Sequence, residues 1–233
     1  MSKPKIKVIA EQREYDKYFK IDKGIVEETA EDGSTQTYDR FKLTRPDAVA
    51  IVVYNESEDK VILVRQHRYP VGDKVDGNIL ELPAGKIDGD EAPMDSALRE
   101  IKEEIGFEVR EGKIGLLNSF FASPGYSTER IYLYLAFVKN EDKVSEGGGV
   151  EGEHENIEIE SYGVSEFFNM VADGTICDSK TLIGAQALWH FRNSEVVAAG
   201  RQFIEEKKMA RAKALADKVI NEDTDTNADE TYK

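Results

Sequence analysis

Residues 85–107 read GKIDGDEAPMDSALREIKEEIGF, and the spacing G-x5-E-x7-R-E-I-x-E-E-x-G-F within them decides how the rest of the chain is understood. Pro93 suits the first turn of a helix and Gly106 the left-handed residue that ends one, which predicts a helix over Pro93–Ile105. At about 100° per residue, Met94, Leu98, Ile101 and Ile105 share one stripe that packs on a core. Glu100, Glu103 and Glu104 fall on the other face, with Glu100 and Glu104 stacked one turn apart. Acidic runs of this kind are usually solvated surface. Here the upstream context argues otherwise: an apolar strand ILEL (Ile79–Leu82), then Pro83-Ala84-Gly85, then a loop holding Glu91, bring backbone close to the acidic face. Carboxylates clustered beside a backbone carbonyl suit Mg²⁺ or Mn²⁺, which take oxygen ligands and relieve the repulsion.

These residues match every fixed position of the signature of the Nudix hydrolases, and the segment resembles that family, which cleaves a nucleoside diphosphate linked to another group. The resemblance implies that Glu100 and Glu104 are the main metal ligands, with Glu103 and the carbonyl of Ala84 completing the set. It makes Arg99 and Glu91 an orienting pair and puts Glu103 and Arg99 in the catalytic group.

The flanks extend the resemblance over about residues 10–195. VRQHRYP (Val64–Pro70), SPGYSTER (Ser123–Arg130) and GGGVEGEHENIEI (Gly147–Ile159) are similar to ADP-ribose pyrophosphatases and to hydrolases of GDP-mannose and other nucleotide sugars. DGTICDSKTLIGAQAL (Asp173–Leu188) is especially similar to the GDP-mannose branch. Arg65 and Arg68 stand at a strand end where their donors can grip phosphate oxygens, Arg68 being preferred. Pro124 and Gly125 turn a loop that the resemblance places over the substrate, with Glu129 facing sugar hydroxyls or a bound water. Glu151, Glu153 and Glu155 follow three glycines, on a loop free to swing. The resemblance implies Glu155 as the general base; the loop is longer than in the GDP-mannose branch, which keeps Glu153 and Glu151 open.

Composition narrows the field. With 40% hydrophobic residues the 233-residue chain can bury a sizeable core. Its longest apolar run, Ala48–Tyr54, is too short to span a bilayer, and MSKPKIKVIAEQREYDKYF lacks a signal-peptide core, so a cytoplasmic location without membrane partners is expected. The single Cys177 is read as packing, and His67, His154 and His190 have no zinc spacing. A net charge of −15 excludes nucleic acid as a partner, and Asn221–Lys233, with five carboxylates and one lysine, is too short to account for it. An anionic substrate would enter such a chain only with a divalent metal and placed arginines.

The expected fold is α+β: a Nudix-type α/β/α sandwich around a mixed sheet, with an N-terminal antiparallel sheet and a C-terminal helical extension. KIKVI, YFKIDKGIV and QTYDRFKL, with a turn at Glu31–Ser34, place the first sheet in residues 1–45. Residues 46–196 hold the hydrolase domain, with Ser165 capping a short helix that ends near Gly174 and another helix from Ser179 toward Asn193. Residues 197–220 form the extension and 221–233 a disordered acidic tail. The resemblance implies a homodimer built through the N-terminal sheet, with Tyr18, Phe19 and Tyr38 as aromatic contacts. The expected reaction is metal-dependent cleavage of a nucleoside diphosphate sugar to a nucleoside monophosphate and a sugar phosphate. Its rivals are a Nudix hydrolase of other nucleoside polyphosphates and a non-catalytic nucleotide-sugar sensor.

Overall fold

The computed structural model describes residues 4–150 and 156–193. Met1–Ala185 forms one compact unit, and Gln186–Lys233 a second, of which only the end of one helix is described. The expectations for residues 197–220 and 221–233 lie outside the described residues.

Three N-terminal strands, β1 (Lys5–Asp16), β2 (Lys20–Thr29) and β3 (Thr35–Thr44), form an antiparallel sheet in that order. The β2–β3 turn closes where Gly33 takes a φ of 84° and Asp32 accepts the Ser34 amide at 2.9 Å. β1 is exposed along its whole length, leaving Ile6, Val8 and Tyr15 uncovered.

The larger sheet contains β4 (Ala48–Asn55), β5 (Lys60–His67), β6 (Asn78–Glu81), β7 (Ala84–Lys86), β8 (Ile114–Phe121), β9 (Arg130–Val138) and β10 (Glu158–Gly163). Its order is β10-β5-β4-β9-β8, with β6 on β5 and β7 on β4. β4 and β9 run parallel, from Ala48 opposite Ile131 to Asn55 opposite Val138, and the remaining pairs are antiparallel, so the sheet is mixed. The unbroken apolar run of β4 follows from cover on both faces. Val49, Ile51 and Val53 meet Ala97, Ile101 and Ile105 of helix α1 (Pro93–Ile105), with Met94 and Leu98 at the margin of the same cluster. On the opposite face helix α3 (Ser179–Asn193) comes so close that a Cβ on Gly184 would lie 2.7 Å from Leu82 Cδ1 and 2.8 Å from Val52 Cγ2. A helix on each side of a mixed sheet is the sandwich the sequence predicts.

Local expectations change in three places. Helix α2 (Val164–Ala172) starts after Gly163 with no side-chain cap, so Ser165 lies inside the first turn instead of capping it. Cys177 is exposed and does not pack. Ala84–Lys86, given no element in the sequence reading, is a short strand registered on β4, with Gly85 opposite Val49.

Candidate active site

α1 carries the site because its two ends are fixed and its two faces differ. Pro93 opens the first turn, and Gly106 closes the last with a φ of 75° and its amide directed to the carbonyls of Ile101 and Lys102. The face away from the core is not solvated. Glu104 is only 3% exposed and Glu100 9%, while Glu103 is half-buried. β7 covers them: the Ala84 amide donates to Glu104 Oε2 at 2.9 Å, and a Cβ on Gly85 would overlap the Glu100 carboxylate.

One guanidinium organises the acidic side. Arg99 donates to both oxygens of Glu91 at 3.1 and 3.2 Å, to Glu100 at 2.7 Å, to Glu103 at 3.0 Å, and to the Lys86 carbonyl at 3.2 Å. This holds the loop carrying Glu91 against the helix, as the orienting reading of the pair requires. The Arg99 hydrogen bonds hold the Glu91 carboxyl below its ordinary range, and Glu91 in turn, ahead of Glu100 and Glu103, raises the Arg99 pKa.

Two further walls complete a cleft of about 310 Å³. On one, Arg68 forks onto buried Glu81, its Nη2 2.6 Å from Glu81 Oε2, and Lys180 lies 2.7 Å from Asp178 and 3.7 Å from Glu81. Burial works against the Arg68 charge, but Glu81, with Glu104 and Asp178 nearby, outweighs it and the pKa is raised. Lys180 is a cleft residue that sequence reasoning missed. Its position follows from Thr181, whose amide and hydroxyl donate to Asp178 while its Oγ1 accepts the Leu82 amide at 2.9 Å. On the other wall, Arg45 donates to Glu129 at 3.1 Å. That pair is set by a seam between β3 and the SPGYSTER loop: Leu43 donates to Tyr126 O at 2.6 Å, the Thr128 amide donates to Leu43 O at 3.0 Å, and Thr128 Oγ1 both accepts the Arg45 amide and donates to its carbonyl.

The structure therefore brings Ala84, Glu100, Glu103, Glu104, Arg99, Arg68 and Glu129 into one cleft. Pro124 is exposed and does not line it. Glu151, Glu153 and Glu155 lie outside the described residues; Val150, just before them, lines the cleft. Arg65 departs from expectation. Strand alternation turns it away from buried Gln66 and toward β10, where it pairs with Glu160 and donates to the Asn78 carbonyl at 3.3 Å. Arg65 holds the Glu160 carboxyl below its ordinary range, a stabilisation present above the unfolded carboxylate pKa and lost as pH falls through the lower folded one. Arg65→Gln should accordingly cost at most about 1 kcal/mol at neutral pH, with the difference from wild type shrinking in acid. Its kcat and KM should stay near wild type, checked by steady-state kinetics beside denaturation at pH 7 and pH 3.

The donors fit a hard divalent cation: all are oxygens, two sit on buried carboxylates one turn apart, and Gly85 leaves the space a side chain would fill. Among the described residues no three acidic, imidazole or thiol groups already converge on one point. Glu100 and Glu103 are turned onto Arg99 and Glu104 onto the Ala84 amide.

Residues 44–177 match the family described as NUDIX domain. The chain is 34% identical over 185 residues to a GDP-mannose pyrophosphatase of Klebsiella pneumoniae subsp. pneumoniae, covering 78% of this chain and 91% of that one. It is 35% identical over 153 residues to a methanol dehydrogenase activator of Bacillus methanolicus, covering 66% of this chain and 77% of the other. Among solved structures, that of an ADP compounds hydrolase superposes with a TM-score of 0.64 at 21% identity, over 86% of this chain and 98% of that one, a likeness of fold.

Proposed function

Because the chain belongs to the NUDIX family and is a pyrophosphohydrolase of that family, we propose that it hydrolyses the diphosphate of nucleoside diphosphate sugars, GDP-mannose and ADP-ribose foremost. The observation that carries this reading is one cleft lined by Glu100, Glu103 and Glu104 together with Arg68 and Lys180. Such a cleft matches an anionic diphosphate held between cations on both sides. The GDP-mannose pyrophosphatase likeness supports the choice of sugar nucleotides.

Glu100, Glu103 and Glu104, with the Ala84 carbonyl, would hold Mg²⁺, or Mn²⁺ in its place, which when bound withdraws charge from phosphorus and favours ionisation of water. The protein's own groups do the rest. Arg68 and Lys180 set donors against the phosphate oxygens, and Arg99 keeps the Glu91 loop and the ligand helix in register. Glu129, oriented by Arg45, faces the sugar hydroxyls. The attacking water gives its proton to a loop carboxylate, Glu155, with Glu153 and Glu151 the other candidates. The products are a nucleoside monophosphate and a sugar phosphate.

The test is a panel of GDP-mannose, ADP-ribose, UDP-glucose, nucleoside triphosphates and dinucleoside polyphosphates, with Mg²⁺ or Mn²⁺ and with EDTA, products separated by anion exchange. Turnover of at least one nucleotide sugar to those products, abolished by EDTA, is expected. Turnover confined to the triphosphates or dinucleotides would overturn the substrate class.

The same proposal includes a homodimer in the cytoplasm. The apolar side chains left open on β1, with Tyr18 at 82% exposure beside Phe19, support pairing with a second copy, and Tyr38 is partly buried on β3. Light scattering should give twice the 26.2 kDa chain mass; a monomer at micromolar concentration would remove the dimer from the proposal. Cell fractionation tests the compartment.

A further inference from the structure

The last turn of α1 carries Glu103 and Glu104, and its carbonyls have no partners within the helix. A distant part of the chain wraps it. The Asp142 carbonyl accepts the Glu108 amide at 2.9 Å, Phe107 and Lys143 form an isolated antiparallel bridge, and the Gly106 carbonyl accepts the amides of Val144 and Ser145 at 2.8 and 3.2 Å. Gly148 then donates to the Glu104 carbonyl at 2.8 Å and Gly149 to the Glu103 carbonyl at 3.0 Å. The triple glycine, expected to leave its loop free to swing, is tied at its near end to the backbone of the two glutamates.

Only glycine seats there. Gly147 has a φ of 70°, and a Cβ on it would lie 2.6 Å from the Glu104 carbonyl oxygen and 2.7 Å from the Ile105 carbonyl carbon, backbone atoms that cannot rotate aside. Gly106, at a φ of 75°, would push a Cβ into the Ser145 carbonyl, so the two segments interlock through facing glycines.

We propose that Ser145–Gly149 is a strap that fixes the last turn of α1 and thereby positions Glu103 and Glu104 to take a divalent cation, with Gly147 as the positioning residue on which its seating depends. A helix end frays unless its carbonyls are satisfied, and a frayed turn carries its carboxylates away from the cleft. This inference rests on the cation reading given under the proposed function.

Mn²⁺ titration of the full chain, followed by electron paramagnetic resonance, compares wild type with Glu104→Gln, Gly147→Ala and Gly33→Ala. Gly33 has the same left-handed backbone, with a φ of 84° and nothing within 4 Å of its added Cβ, and serves as the matched control for backbone strain alone. Gly147→Ala should weaken Mn²⁺ binding about tenfold, and Gly33→Ala should leave it unchanged. By reciprocity, saturating Mg²⁺ should slow hydrogen exchange of the Gly148 and Gly149 amides about tenfold in wild type, and not that of the Gly33 amide. If Glu104→Gln binds Mn²⁺ like wild type, the cation reading falls and the strap with it. If Glu104→Gln loses binding while Gly147→Ala keeps it, or the strap amides ignore Mg²⁺, the strap inference is overturned and the cation reading stands. Should Gly147→Ala fail to fold, the exchange measurement on wild type decides.

Discussion

Glu104→Gln should lower kcat by about three orders of magnitude, a loss of about 4 kcal/mol of transition-state stabilisation, with thermal stability near that of the parent. The carboxylate is 3% exposed and its Oε2 already accepts the Ala84 amide, so an amide oxygen can keep that hydrogen bond and the local fold. What the substitution removes is the negative charge, and a divalent cation depends on that charge far more than the backbone does. Turnover equal to the parent would show that the buried pair is structural.

Gly85→Ala is the complementary experiment, because it leaves every charge in place and moves one. The added methyl would occupy the space of the Glu100 carboxylate, and a carboxylate at the end of a flexible side chain gives way where backbone would not. β7 should stay paired to β4 through Gly85 and Val49, whose register needs no glycine, so melting temperature should change little. Activity should nevertheless fall about a hundredfold, as it does when the support of a metal ligand is displaced. A variant with normal activity would mean that Glu100 reaches its working position from elsewhere.

Much of this was legible in the residues of α1. Pro93, Gly106 and the stripe Met94, Leu98, Ile101 and Ile105 are local signals, and the helix has those limits and that buried face. The acidic face was legible as a site only with its upstream context, since charge spacing alone does not separate a buried carboxylate from a solvated one. β7 escaped because three residues, Ala-Gly-Lys, show no alternation, and only register with a strand far upstream makes them one. Lys180 escaped for a similar reason. The predicted helix from Ser179 already put it on a first turn, but only the Asp178–Thr181–Leu82 hydrogen bonds, which join that turn to a segment about a hundred residues upstream, bring it to the cleft. Arg65 was misplaced through reading two arginines as one fork. β5 ends at His67, so Arg65 obeys strand alternation and Arg68 does not.

The seam between β3 and the Ser123–Arg130 loop bears on how this enzyme can be divided. The family match begins at residue 44, yet the hydrogen bonds of Leu43 with Tyr126 and Thr128 cross that line. The end of the N-terminal ribbon is thus stitched to the loop that leads to Glu129, and a trimmed catalytic fragment or a graft of this ribbon onto a relative would disturb that residue unless both sides of the stitch travel together.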